Sequence, residues 1–366
     1  MTPIEVQSVF RNYKILVGRN LIERTVDHFA SLSLRGKVMI VTQKAVASKY
    51  LPVIKKSLSQ KFEVHVHYVQ DGEKAKSQTE LNKLYKILME ERFERKDVIL
   101  ALGGGVVGDL AGFAAATFLR GLPFVNIPTT LLAQVDSSIG GKTGINMPEG
   151  KNLLGAFYPP CLVICDSQVL KTLPDAEYRS AMGEIVKYGL IREQGIFQLL
   201  EKKTDKILKR DPLILEELVT GSAQIKAEVV SADEFERKGE RMILNLGHTF
   251  GHAFEQVLNY EKLRHGEAVG LGILAVTRVS EKMGLITALE KKRIFQVVQN
   301  LKLPMSLKPY RLSVPKMMAA MQRDKKKNDG KLRFVLPQGI GRVMVREDVD
   351  PNHVSQVLRE LGGLSA

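Results

Sequence analysis

The first half of the chain alternates short apolar runs with stretches of helical periodicity. Residues 37–42 predict a short buried strand, and a helical pattern follows over 44–60. Residues 62–69 alternate apolar and polar, which puts His65 and His67 on an outer face. Leucines and an isoleucine at helical spacing predict a helix over 77–93. A strand over 97–102 then leads into glycines and a helix to about residue 119, and further strands are predicted at 123–128 and 161–166. Strand and helix in succession predict a mostly parallel sheet with helices on both faces.

Beyond about residue 175 helical periodicity takes over, at 177–191, 213–233, 248–258, 266–283 and 289–301. Residues 332–336 and 342–346 predict a short hairpin, and a last helix covers 352–361. The expected architecture is therefore an α/β nucleotide-binding (Rossmann-like) domain over residues 1–175, followed by a mainly α-helical metal- and substrate-binding domain over 176–366.

Composition narrows the function classes. A chain of 366 residues with 44% hydrophobic and 26% charged content is ordinary for a globular protein with two cores. No apolar run approaches the roughly 20 residues that span a bilayer, and no signal pattern opens the chain, so a cytoplasmic location is expected. Cys161 and Cys165 lie four apart in a strand and read as core thiols. The formal charge of +14 points to anionic partners, but it is spread along the chain without a nucleic-acid-binding motif. Small phosphorylated ligands account for it, with neither nucleic acid nor membrane as partner.

The candidate chemistry concentrates in a few segments. Three of seven histidines fall between residues 245 and 267: His248 and His252, four apart and so on one helical face, and His265 a short loop later. Such a cluster suits an open zinc-type site, and spacing alone selects these three as ligands. The glutamate that serves as base in helical zinc proteases is missing between His248 and His252, which argues against peptidase chemistry.

Gly103-Gly104-Gly105-Val106-Val107-Gly108-Asp109 follows a strand and opens a helix, where backbone N–H groups suit a pyrophosphate. Asp71-Gly72-Glu73-Lys74-Ala75-Lys76 closes another strand, with acidic groups suited to ribose hydroxyls. Residues 128–152 read as a long structureless loop carrying Thr129, Thr130, Asp136, Lys142, Lys151 and Asn152, a polar-ligand loop by composition. Glu184 and Lys187 share a helical face, and Arg241 and Asn245 precede the histidines.

Together these segments resemble the 3-dehydroquinate synthases. The Asp-Gly-Glu-Lys-Ala-Lys and Gly-Gly-Gly-Val-Val-Gly-Asp stretches, the segment from Pro128 to Asn146, Gly-Glu-Ile-Val-Lys-Tyr-Gly, Leu-Asn-Leu-Gly-His-Thr-Phe-Gly-His and His-Gly-Glu-Ala-Val stand in that family's order, from about residue 70 to 340. The resemblance implies the dehydroquinate synthase-like fold and a divalent metal, zinc or cobalt, on Glu184, His248 and His265, with His252 moved to the substrate. It implies NAD contacts at Asp71, Gly72, Glu73, Lys74, Lys76, Gly105, Val106, Val107, Gly108, Asp109, Thr129, Thr130, Lys142, Lys151, Val169, Leu170, Lys171 and Thr172. Substrate contacts are implied for Asp136, Lys142, Asn152, Lys187, Lys226, Arg241, Asn245, His252 and one lysine of Lys325 and Lys326. Arg120 matches an arginine that reaches into a neighbouring subunit, which implies a homodimer. The implied reaction converts 3-deoxy-D-arabino-heptulosonate 7-phosphate, a phosphorylated keto acid, to 3-dehydroquinate and phosphate by transient oxidation with NAD. Another sugar-phosphate cyclase, or a metal- and NAD-dependent polyol dehydrogenase, is the alternative.

Overall fold

The structure is a computed structural model that describes residues 3–192, 194–327 and 332–364. The chain divides into two compact units, Met1–Leu173 with Lys226–Phe235, and Pro174–Ile225 with Glu236–Ala366. The sequence-based boundary at residue 175 thus leaves out a return of the chain. The helix crossing residue 226 is continuous, so periodicity carries no mark of the change of unit.

In the first unit the elements run β1 (Ile4–Val6), β2 (Tyr13–Gly18), α1 (Thr25–Ala30), β3 (Lys37–Gln43), α2 (Lys44–Leu58), β4 (Glu63–Val69), α3 (Gln78–Glu90), β5 (Val98–Gly103), α4 (Gly105–Thr117), β6 (Phe124–Pro128), β7 (Lys142–Met147), β8 (Gly150–Phe157) and β9 (Leu162–Asp166). Seven strands form one sheet in the order β1-β2-β9-β6-β5-β3-β4. Every pairing is parallel except β1 with β2. Strands β5, β6 and β9 are buried at every position, which is why they read as unbroken apolar runs. Below the sheet, Met39, Val41, Ile99 and Ala101 pack on Leu81, Leu84 and Leu88 of α3 and on Leu110, Ala111 and Ala114 of α4. Ser77 caps α3, its hydroxyl accepting from the Glu80 N–H at 3.3 Å.

Two expectations are corrected here. Residues 128–152 are not structureless: a π-helical turn, Ala133–Ser137, leads into the antiparallel hairpin of β7 and β8. Residues 151–155 of β8 are all exposed, so the strand has no buried face and shows no alternation. His67 is not on an outer face either. It is 6% exposed, beside Glu80 of α3, because helices cover the inner side of edge strand β4.

The second unit holds α5 (Asp175–Ile191), α6 (Gln194–Lys202), α7 (Thr204–Leu208) and the first part of α8 (Pro212–Ala232). It continues with α9 (His248–Val257), α10 (His265–Lys282), α11 (Ala288–Asn300), α12 (Val314–Lys327), the hairpin β10 (Phe334–Pro337) and β11 (Val343–Arg346), and α13 (Pro351–Glu360). Helix α10 is its axis. It is buried almost continuously from Gly266 to Ser280, with α5, α9, α11 and α13 packed around it. Among the described residues, no helix is long and apolar enough to cross a membrane.

Candidate active site

Backbone contact between helices assembles the centre of the second unit. Glu184 lies in mid-α5, fully buried, and His265 is the first residue of α10. Each has a glycine beside it. A Cβ on Gly183 would lie 1.9 Å from the Gly266 carbonyl oxygen, and one on Gly266 would lie 1.9 Å from that of Ser180. Real Cβ atoms never come so close, so only glycines permit this crossing, and the crossing sets Glu184 against His265. Gly247, at φ +78°, turns the chain into α9, whose first residue is His248.

The hydrogen bonds of the two imidazoles fix what they offer. His248 Nδ1 lies 3.1 Å from the Leu246 carbonyl oxygen, and His265 Nδ1 lies 3.3 and 3.4 Å from the two Glu255 oxygens. A carbonyl and a carboxylate only accept, so each Nδ1 carries a proton, which leaves Nε2 as the atom either ring can offer a metal. Those Nε2 atoms lie 3.4 Å (His248) and 3.3 Å (His265) from the same oxygen, Glu184 Oε1. Neither Glu184 oxygen has a hydrogen bond of good geometry, and Lys187, also buried, ion-pairs with Oε2.

Lone pairs converging on one point repel unless a cation stands among them. The ligand atoms of Glu184, His248 and His265 all lie within 4.8 Å of one another, and two imidazoles with one carboxylate make a donor set suited to zinc or cobalt. The residues fit such an ion. Without the ion a proton takes the place: burial opposes charge on His265, but the carboxylates of Glu184 and Glu255 outweigh it and raise the imidazole to about 10. Burial likewise opposes the Glu184 charge, yet Lys187 and His248 hold the carboxyl well below its ordinary range.

His252 stands one turn beyond His248, its ring centroid 5.3 Å from that of His248 and 6.1 Å from that of His265. Its edge is open to solvent, but surrounding protein and then the two neighbouring imidazoles push its pKa down, so it is neutral at pH 7. Arg241 is buried and ion-pairs with Glu236 at 3.2 Å, whereas Asn245 is exposed. Lys325 and Lys326 fall in α12, but their side chains lie outside the described residues.

In the first unit the segments expected to contact NAD share one edge of the sheet. Residues 71–76 follow β4, the glycines and the first turn of α4 follow β5, Thr129 and Thr130 follow β6, and residues 169–172 follow β9. The strands are parallel, so their carboxyl ends all open on that edge, where ligands of α/β sheets bind. The order reverses between β3 and β5, next to the glycines. The N–H groups at the N-terminus of α4 suit a pyrophosphate. The Thr129 N–H holds the Gly103 carbonyl at 2.9 Å, and the Tyr50 hydroxyl donates to the Val169 carbonyl at 2.9 Å.

A polar network ties the loops together. Lys76 is buried, ion-pairs with Asp109 at 2.7 Å and donates to Asn152 of β8, and Asn146 donates to Glu73 at 2.8 Å. Burial raises the Asp109 pKa against the pull of Lys76. Lys226 is buried and donates to the Asp136 carboxylate at 2.8 Å and to its carbonyl at 2.6 Å. Lys142 and Lys151 are exposed on the hairpin. Sequence reasoning gave Glu255 no role, although with His248 and His252 it completes an i, i+4, i+7 face of α9 that spacing makes visible.

The chain matches the family described as 3-dehydroquinate synthase N-terminal over residues 66–180, and 3-dehydroquinate synthase C-terminal over 181–327. It is 42% identical over 361 residues to the 3-dehydroquinate synthase of Crocosphaera subtropica, covering 98% of both chains. To that of Nitrosomonas europaea it is 46% identical over 333 residues, covering 91% of this chain and 89% of the other. Among solved structures it is similar to ValA, the 2-epi-5-epi-valiolone synthase of Streptomyces hygroscopicus with NAD+ and Zn2+ bound, with a TM-score of 0.87, 29% identity and coverage of 95% and 96%. Its fold is also that of a 2-deoxy-scyllo-inosose synthase complexed with carbaglucose-6-phosphate, NAD+ and Co2+, with a TM-score of 0.86, 24% identity and coverage of 99% and 100%. Two adjoining matches that meet at residue 180, and relatives alike over nearly their whole length, agree with the carboxylate–histidine cluster and the strand-end loops: the chain belongs to the 3-dehydroquinate synthase family.

Proposed function

We propose that the protein is a 3-dehydroquinate synthase, a phosphorus–oxygen lyase that converts 3-deoxy-D-arabino-heptulosonate 7-phosphate to 3-dehydroquinate and phosphate. The observation that carries this reading is the convergence of His248 Nε2 and His265 Nε2 on Glu184 Oε1, in a chain of this family. The first unit would hold NAD along its strand-end loops, and Glu184, His248 and His265 of the second would hold zinc or cobalt. When bound, NAD supplies a reversible hydride acceptor and the ion supplies a Lewis acid for the substrate's hydroxyls.

The chain's own residues bind and orient the substrate. Arg241, buried and aimed by Glu236, offers a bidentate fork for the substrate carboxylate, and the Lys226 ammonium is a second cation for it. Lys142, Asn152, Asn245 and His252 bind the phosphate, with Arg120 of a second copy in a homodimer, and Lys325 or Lys326 is a further substrate contact. Asp136 and Lys187 hold hydroxyls and relay protons, and neutral His252 accepts one at its free nitrogen. The basic groups proposed for the carboxylate favour this substrate over cyclase substrates that lack one. Buried free thiols at Cys161 and Cys165 agree with a reducing, cytoplasmic place of work.

The test is phosphate release from 3-deoxy-D-arabino-heptulosonate 7-phosphate with NAD, with and without EDTA, while NADH absorbance is followed. Metal-dependent release without accumulating NADH is expected. Steady NADH accumulation would overturn the reading in favour of a polyol dehydrogenase. Release only from sedoheptulose 7-phosphate or glucose 6-phosphate would move the chain to a sister cyclase.

A further inference from the structure

We infer that Glu255 is a positioning residue of the metal centre, its carboxylate holding the His265 Nδ1 proton so that Nε2 faces the metal position. The inference rests on Glu184, His248 and His265 being the ligands.

The two histidines are held differently. The ring of His248 is fixed by a backbone carbonyl two residues earlier, which no side-chain substitution removes. The Nδ1 of His265 meets a side chain instead, and its own side chain is 36% exposed against 12% for His248. Glu255 meets its Nδ1 at 3.3 and 3.4 Å with both oxygens. Glu255 itself is 8% exposed, and a carboxylate so far from water needs a donor. Close backbone packing of α9 on α10, where a Cβ on Gly251 would lie 3.2 Å from the Ala268 carbonyl, keeps the pair in register. A carboxylate on the far nitrogen fixes the tautomer and raises the basicity of the ligating one.

Glu255 also stands with His252 and His265 in a second group whose ligand atoms lie within 4.8 Å. For that group to hold an ion of its own, His265 would have to lose its Nδ1 proton and bridge two metals. With its Nδ1 proton held by Glu255, His265 has a single lone pair to give, at Nε2, which favours one ion with Glu255 behind the ligand.

The experiment measures zinc affinity by competition with a chromophoric chelator, on the full-length wild type and on Glu255→Ala, Glu255→Gln and Glu184→Gln. Glu255→Ala is expected to weaken zinc binding about 10- to 100-fold. Glu255→Gln is expected to lose less, since its amide oxygen still accepts from Nδ1–H, and kcat of both should recover at saturating zinc. Should Glu255→Ala not fold, Glu255→Leu fills the space without accepting a proton and carries the same expectation. Wild-type zinc affinity in the Ala or Leu variant would overturn the inference. So would two zinc ions per wild-type chain falling to one, since Glu255 would then be a ligand. If Glu184→Gln alone loses zinc, only the positioning role fails, whereas unchanged binding in Glu184→Gln means that the ligand set itself is wrong.

Discussion

His265 and His67 both stand near buried carboxyl groups, yet their surroundings drive them in opposite directions. His265 stands between two carboxylates and holds its proton until a metal replaces it. His67 has a buried Nε2 without a hydrogen-bond partner, and burial lowers its pKa, with Glu80 pulling only weakly the other way. The folded chain therefore refuses at His67 a proton that the unfolded chain accepts below the ordinary imidazole value of about 6.5. Where the unfolded state binds more protons, stability rises with pH, so the His67 contribution is present above that value and lost as pH falls through the lowered one. His265 contributes with the opposite sign in both proteins, so the His67 effect is read as a difference: between about pH 5.5 and about pH 7.5 the melting temperature of the metal-free wild type should change more in the upward direction than that of His67→Phe. Equal differences in the two proteins would show that His67 does not titrate as its burial requires. The sequence could not reveal this. Its alternation places two histidines in a strand, but which face is covered depends on α3, a separate element.

At the scale of elements, the ligands are brought together by helices that touch through glycine. Alanine at Gly183 or Gly266 would drive a methyl into a carbonyl oxygen 1.9 Å away, and neither helix can yield without moving Glu184 from His265. At Gly270, on the same helix α10, the nearest atoms to an added Cβ are of the Leu303 side chain, at 3.4 Å and beyond. Gly183→Ala is therefore expected to cost about 1–3 kcal/mol of stability by overpacking, and to weaken zinc binding as well. Gly270→Ala should be neutral or stabilising by about 0.5–1 kcal/mol through helix propensity. Thermal melts with zinc titrations check both, and a Gly183→Ala protein with intact stability and zinc affinity would contradict this account of the crossing. The same contact explains what spacing can and cannot read. Three histidines close in sequence announce a metal, and spacing alone joins His252 to the other two. Glu184 lies on another helix, and its approach depends on a backbone crossing that leaves no periodicity, so the resemblance to a family was needed to suggest it. The centre of the parallel sheet was legible because β5, β6 and β9 are buried at every position, whereas the short strands β1 and β2 were not anticipated. The hairpin of β7 and β8 was not, because its exposed residues match the composition of a loop.

At the scale of the whole molecule, the corner after α4 separates a self-sufficient subunit from one that needs a second copy. Leu119, Arg120 and Gly121 have φ of 49°, 65° and 129° in succession. Two non-glycine residues held there cost about 1–3 kcal/mol each. The corner is kept by the Leu122 N–H on the Ala115 carbonyl at 2.8 Å and by Arg95 Nε on the Leu119 carbonyl at 3.3 Å. It leaves the Arg120 side chain exposed, although that arginine is proposed to bind a substrate phosphate. If Arg120 serves the other copy's site in a two-fold dimer, Arg120→Ala and Glu184→Gln damage different chains' contributions to one site, and two inactive proteins can complement each other. Co-expressed in equal amounts, they pair at random, and half of the dimers are mixed. In each mixed dimer one site has an intact Glu184 from one chain and an intact Arg120 from the other. Phosphate-release activity is therefore expected to return to about a quarter of the wild-type level per chain, with no recovery when either variant is expressed alone. A monomer by sedimentation, or a mixed dimer as inactive as its parents, would place Arg120 outside the neighbouring site.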